Sequence, residues 1–318
     1  ITPDIYPART FKNNFLDAGD LFTNENGIVA LPFQADPLVL YWNRDLFQAS
    51  SIAAPPRTWD EFSSDVSKLR ILKDSSILQA GAALGDFGTI KNAKDILSAL
   101  MLQTGNPVVD PKTLKAVFAE RGKGLSPGEE AALFFTSFAD ARKTTYTWNR
   151  TMPDALDAFA SGRLAMYIGS ASDLDLILAQ NPHLNFDVAE LPQPRDSAIK
   201  ATYARLWGLA ISKQSPSIPA ALTFLYDMTS LNQQKRIADI VSTTPTLRTT
   251  LATPPENPAF EVFYASAIKS RAWLDPDPDR SGPIFESMTA TVLSGAARID
   301  AAVTAAQNQI NALFPRNQ

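Results

Sequence analysis

The sequence predicts an α/β fold with room for two hydrophobic cores. Short apolar, partly β-branched runs alternate with segments of helical periodicity, the pattern of sheets covered on both faces. At 318 residues the chain is long for one core and comfortable for two. Its composition, 45% hydrophobic and 19% charged, belongs to a folded globular chain and not to a disordered one.

Taken in order, residues 1–27 predict a helical segment, with Phe11, Phe15, Ala18 and Phe22 at helical spacing. Ile28–Leu31 reads as a strand ended by Pro32, and Leu38–Trp42 as a second; Gln34 and Asp36 between them form a polar patch that fits no strand core. Thr58 and Glu61 make a capping box opening a helix to about Leu72. Gln79–Leu84 predicts a strand running into the turn Gly85–Gly88, and Asn92–Thr104 a helix stopped by Gly105 and Pro107. Ser126 and Pro127 stand at the N-cap and first position of a helix reaching about Ala139. A short helix Asp154–Ser161, closed by Gly162, precedes a strand at Leu164–Ile168, a helix at Ala171–Gln180 and strands at Phe186–Leu191 and Trp207–Ile211. Helices follow at Pro219–Ser230, Gln233–Ile240, Pro283–Leu293 and Ile299–Leu313, while proline clusters at 254–258 and 276–283 read as loops or crossings.

Several function classes fall away. Net charge is −4 from 29 basic and 33 acidic residues, and no Lys/Arg stripe offers a nucleic-acid surface. Cysteine is absent, which removes disulfides, thiolate metal sites and cysteine nucleophiles. The one histidine, His183, sits in a loop-like Asn-Pro-His-Leu stretch, so a zinc site would rest on carboxylates alone. Asp86-Phe87-Gly88 spells a kinase tripeptide without the glycine-rich loop, catalytic loop or lysine that would give it meaning. Asp275 to Arg280, with Glu286 at the twelfth place, has the spacing of a calcium loop, but Arg280 replaces the required glycine and two prolines stiffen it; it reads as a rigid acidic loop. No metal or cofactor is expected.

Leu31-Pro32, Asp36, Leu38, Tyr41, Asn43, Asp45-Leu46-Phe47, Pro56 and Thr58-Trp59-Asp60-Glu61 together resemble the lobe-crossing segment of bacterial extracellular solute-binding proteins, the maltose-binding-protein-like family of ABC importers. Ala155–Met166, with Phe159 and Gly162, is similar to a second box of that family, and Trp207–Lys213 followed by Pro219–Ser230 to a third and fourth. The resemblance implies a two-lobed type II periplasmic-binding-protein architecture with an interlobe cleft. Crossings would fall near 33–37, 204–208 and 254–257, giving a lobe 1 of 1–33 and 208–254 and a lobe 2 of 37–204 and 257–318. Only 27 residues precede Ile28, where the family builds strand–helix–strand units, so lobe 1 is expected to be incomplete. The implied function is extracytoplasmic capture of a small solute by a monomer, with hinge closure and presentation to an ABC permease in the membrane, and no chemistry. An export signal or lipid anchor would lie upstream of Ile1.

The expected ligand contacts follow from those segments. Gln34 and Asp36 lie on the first crossing, where the family often places an acidic residue that accepts from sugar hydroxyls; Asp36 could equally cap a turn before Pro37. Asp86 and Phe87 occupy a turn after a strand, where open α/β sheets bind ligands. Trp148, Asn149 and Arg150 combine a ring that could stack on a sugar with groups that could take its hydroxyls, against the alternative of a surface loop with one core tryptophan. Arg205 and Trp207 enter the returning strand, where Trp207 also suits hinge core, and Trp273 is a further aromatic candidate. Ser172 stands where maltose-binding relatives carry a stacking tryptophan, which argues against reading a ligand in the maltose manner. Sugar, oligosaccharide, polyol and peptide all stay open. An enzyme using Asp36 and Asp86 as acid and base is the competing class, for which the sequence offers no nucleophile or metal cluster; an interaction scaffold is a third.

Overall fold

The computed structural model describes residues 1, 5–74, 76–253 and 255–315; position 254, the first residue of the third expected crossing, lies outside them. Strands β1 (Leu31–Asn43), β2 (Ile71–Lys73), β3 (Ser76–Ala82), β4 (Leu164–Ser170), β5 (Phe186–Glu190), β6 (Thr202–Leu209) and β7 (Ser270–Arg271) alternate with helices along the chain. The chain divides into two compact units, Ile1–Val39 with Ser170–Leu176 and Thr202–Ala272, and Leu40–Gly169 with Ile177–Ala201 and Trp273–Gln318.

In the first unit β6 pairs antiparallel with β1 from Ala204 opposite Pro37 to Leu209 opposite Leu31, with a register shift between Trp207 and Gly208, and β7 pairs parallel with β6. Where the sequence predicts two strands parted by Pro32, one strand runs through both Pro32 and Pro37. A proline breaks a ladder only where its missing N–H would face a partner. Here both prolines serve as acceptors: Pro32 O takes the Thr246 hydroxyl at 2.9 Å and Pro37 O the Ala171 N–H at 3.0 Å. Between them Ala35 exchanges both backbone bonds with Thr244, at 2.9 and 2.8 Å.

The predicted helix in residues 1–27 is broken. Ala8–Asn14 is helical, Phe15 turns extended, and Asp17–Phe22 is a 3-10 turn. Phe15 leaves the helix to bridge Leu247, and Leu16 N–H donates to Thr246 O at 2.9 Å. The reward is packing: Phe11 and Phe15, with ring centroids 5.0 Å apart, join Ile28, Leu31 and Leu225 in one buried cluster. The helix Ile218–Met228 buries only Leu225, although it is apolar, and Phe224 and, on the next helix, Ile240 are 64% and 68% exposed.

In the second unit β4 lies between β1 and β3, with β2 on the outer edge and β5 beside β1, and the helix Trp59–Leu69 packs on β3. Strands β3 and β4 run parallel, Ala80 opposite Leu164 and Ala82 opposite Met166. The helix Trp59–Leu69, opened by the expected Thr58–Glu61 capping box, crosses β3 at Gly81, where a Cβ would stand 2.7 Å from Val66 O. A second capping box, Ser126 with Glu129, opens Pro127–Ser137. Tyr41 stacks on Tyr167 at 5.9 Å and Phe62 meets Phe138 edge-on at 5.8 Å in the core.

Both proline clusters mark helix starts. Asn257 caps Pro258–Ile268 and Asp277 caps Pro278–Ser294, each with proline in the first turn. The helix Pro258–Ile268 packs on β6 and on Arg248–Leu251, so the first unit continues to Ala272 where the sequence placed a crossing near 254–257. Ser170–Leu176 also belongs to the first unit.

Candidate functional site

The expected site residues divide between the units. In the first, the β1–β6 register sets Asp36 opposite Arg205 and Gln34 opposite Trp207. Side chains two apart on a strand share a face, so the four form one cross-strand patch. Within it, roles differ sharply.

Asp36 is 2% exposed, and both its oxygens are engaged: Oδ1 accepts from Ser172 N at 2.9 Å and Oδ2 from Ser172 Oγ at 2.7 Å. Burial pushes its carboxyl above the ordinary carboxylate range; the Ser172 bonds and the Arg205 charge act the other way, and Asp173 adds to the upward shift. Gln34 is also buried, donating through Nε2 to Gln234 O at 3.2 Å and accepting through Oε1 from Thr243 Oγ1 at 2.7 Å. Both expected ligand contacts are thus held inside the unit, and the polar patch of the sequence is a hydrogen-bonded core layer. The pairing with Ser172, Gln234 and Thr243 had no sequence signal, because these partners lie 136 to 209 positions away.

Trp207 differs. The residue is 48% exposed beside the register shift at Gly208, with the half-buried Arg205 two residues before it. Gly208 is required there, since a Cβ would come within 2.9 Å of the Phe22 ring.

In the second unit, Asp86 and Phe87 are half-buried at the carboxyl end of β3, Asp86 preceding the 3-10 turn Phe87–Thr89. Trp148 is fully buried, and its indole N–H donates to Thr89 Oγ1 at 2.8 Å. Trp273 is buried against Phe285, its indole N–H on Ser98 Oγ at 3.0 Å. Neither presents a ring face to solvent: a large ring with one donor is buried once that donor finds an acceptor. Asn149 shapes a turn, donating to Tyr146 OH at 2.7 Å and accepting from Thr151 N at 2.8 Å, and Arg150 is exposed. His183 is exposed in its loop.

The acidic loop of residues 275–280 has structural partners. Asp275 pairs with Lys94 Nζ at 2.8 Å and accepts from Ser281 Oγ at 2.6 Å, while Asp277 caps the following helix. Among the described residues no cluster of three His, Cys, Asp or Glu could hold a metal ion.

Residues 2–262 match the family of bacterial extracellular solute-binding proteins, and the chain belongs to that family. A binding protein of Brucella abortus (strain 2308) is 25% identical over 170 residues, which cover 51% of this chain and 37% of that protein. The chain therefore matches little more than a third of the length of these curated relatives. Among solved structures, the cyclic α-maltosyl-1,6-maltose binding protein of Arthrobacter globiformis is 18% identical with a TM-score of 0.75, over 98% of this chain and 79% of that one. UgpB of Mycobacterium tuberculosis in complex with glycerophosphocholine is 17% identical with a TM-score of 0.69, over 94% and 75%. The fold is that of two-lobed solute-binding proteins, and family and fold alike are those of binding proteins and not of enzymes. The family places the protein outside the cytoplasm. No helix of the described residues is long and apolar enough to cross a membrane.

Proposed function

We propose that the protein captures a hydroxyl-rich solute, a carbohydrate in the first instance, and delivers it to an ABC permease in the membrane. It works as a monomer, at a cell surface or in a periplasm. The observation that carries the ligand class is the exposed indole of Trp207 next to Arg205. A solvent-facing tryptophan on a rigid strand offers an apolar face for a sugar ring, and the neighbouring guanidinium offers donors to its hydroxyls. The sugar ligands named for neighbouring structures support the same class.

Asp36 and Gln34 act in this reading as positioning residues that hold the strand carrying the patch. In the second unit, Asp86 and Phe87 at the carboxyl end of β3 are the proposed ligand contacts, in keeping with where open α/β sheets receive ligands. A thermal-shift screen against mono- and oligosaccharides, polyols and amino acids is the test. A specific binder at a hundredfold excess over its dissociation constant adds about 2.7 kcal/mol to the folded state. Stabilisation by a saccharide is expected; stabilisation by amino acids or peptides alone would overturn the ligand class.

A further inference from the structure

The second unit contains a surface cavity of about 290 Å³ at the amino end of β3, the opposite end of that strand from Asp86 and Phe87. We propose that this cavity is a second binding site, for a small hydroxycarboxylate, separate from the site of the transported solute. Its walls include Ser76, Leu78, Asn149, Thr151, Met152 and Arg163.

The walls are built to keep their shape. Asn149 Oδ1 accepts from both the N–H and the hydroxyl of Thr151, at 2.8 and 2.7 Å, and its amide donates to Tyr146 OH at 2.7 Å. Met152 N–H closes the same turn on Asn149 O at 3.0 Å. Across the cavity, Gly162 takes φ +74°, ending the helix Ala155–Ala160 and turning the chain toward β4. Arg163 is then pinned at three points: its N–H on Ala158 O at 3.0 Å, its carbonyl on Ala80 N–H at 3.0 Å and its Nε on Ser161 Oγ at 3.2 Å. A site with fixed walls loses little ordering entropy on binding.

The charge is one-sided. The cavity lining contains no Asp or Glu, and Arg163 makes no ion pair among the described residues. The carboxylates nearest in sequence are engaged by other partners: Asp154 caps its helix through Leu156 N and Asp157 N, and Asp157 accepts from Gln180 Nε2 at 3.0 Å. A guanidinium fork with two terminal nitrogens unpaired suits a planar carboxylate, and the hydroxyls of Ser76 and Thr151 suit an adjacent ligand hydroxyl. Leu78 and Met152 supply apolar wall for a short carbon chain. The volume falls just under the range for drug-sized ligand sites, roughly 300–1,000 Å³, which restricts the ligand to a few carbons.

The test is an NMR titration of the 318-residue protein with sodium lactate, following the backbone amides of Ile77, Leu78 and Thr151. Saturable shifts at these amides are expected, with affinity at least tenfold weaker in Arg163→Gln and intermediate in Arg163→Lys. Neutral lactamide should give no saturable shift. Absence of a saturable response, equal binding by Arg163→Gln, or equal binding of lactamide would each overturn the proposal. Saturation by inorganic phosphate but not by lactate would overturn its ligand class. The readout lies at the amino end of β3 and in the 149–153 turn, and the comparison with Arg163→Gln separates it from saccharide binding at Trp207 or at Asp86 and Phe87.

Discussion

Ser172 donates twice to Asp36, from its backbone N–H to Oδ1 at 2.9 Å and from its hydroxyl to Oδ2 at 2.7 Å, and so ties Ser170–Leu176 to β1 within the first unit. Asp36→Ala would leave the half-buried Ser172 N–H and hydroxyl without an acceptor, and a loss of about 1–3 kcal/mol of unfolding free energy is expected in urea titration. The pH dependence has a definite sign. Burial raises the folded-state pKa of Asp36 above its ordinary value of 3.8. Its contribution is therefore fully present below that value and declines as pH rises through the raised folded value. Asp36→Asn should show a flatter stability profile across this window than the parent.

Glu129 runs the opposite way. It accepts from Ser126 N–H at 2.7 Å and forms an ion pair with Arg121, which holds its carboxyl down from 4.5 to about 2. Its contribution is present above pH 4.5 and is lost as pH falls toward 2. Glu129→Gln should cost about 2 kcal/mol near neutrality and remove that part of the acid sensitivity, read by thermal unfolding at pH 7 and pH 3.

Gly85 takes φ +113° after β3, and a Cβ there would stand 2.5 Å from Ala139 N. Gly85→Ala adds left-handed strain to a backbone clash, and a loss of roughly 2 kcal/mol or more is expected by chemical denaturation. An unchanged midpoint would show that the turn differs from the one described.

Phe224 and Ile240 make little of the first unit's core, being 64% and 68% exposed. The double change Phe224→Ser and Ile240→Ser should leave the unfolding midpoint within about 0.5 kcal/mol of the parent while reducing uptake of a hydrophobic dye.

The sequence carried the elements better than it carried the site. The capping box at Thr58–Glu61, the N-cap Ser126, and Asp154 and Gly162 at helix ends are local devices whose partners sit within four residues, so spacing alone reveals them. Pro32 and Pro37 misled because their tolerance depends on Thr246 and Ala171, far along the chain. The same reason explains the polar patch. Gln34 and Asp36 look like ligand contacts in a strand until Thr243, Gln234 and Ser172 arrive to satisfy them. Tryptophan type says nothing about burial: Trp148 and Trp207 stand in similarly mixed sequence surroundings, yet one is fully buried on Thr89 and the other is half exposed on β6.

The claim that the exposed Trp207 face reads a carbohydrate is tested most directly by isothermal titration calorimetry of the parent and Trp207→Ala with the saccharide that stabilises the protein most. Loss of one stacking ring should weaken binding by roughly 1–3 kcal/mol, with the fold unchanged by circular dichroism. Binding that is undiminished in Trp207→Ala, or a parent protein that binds no saccharide at all, would contradict it.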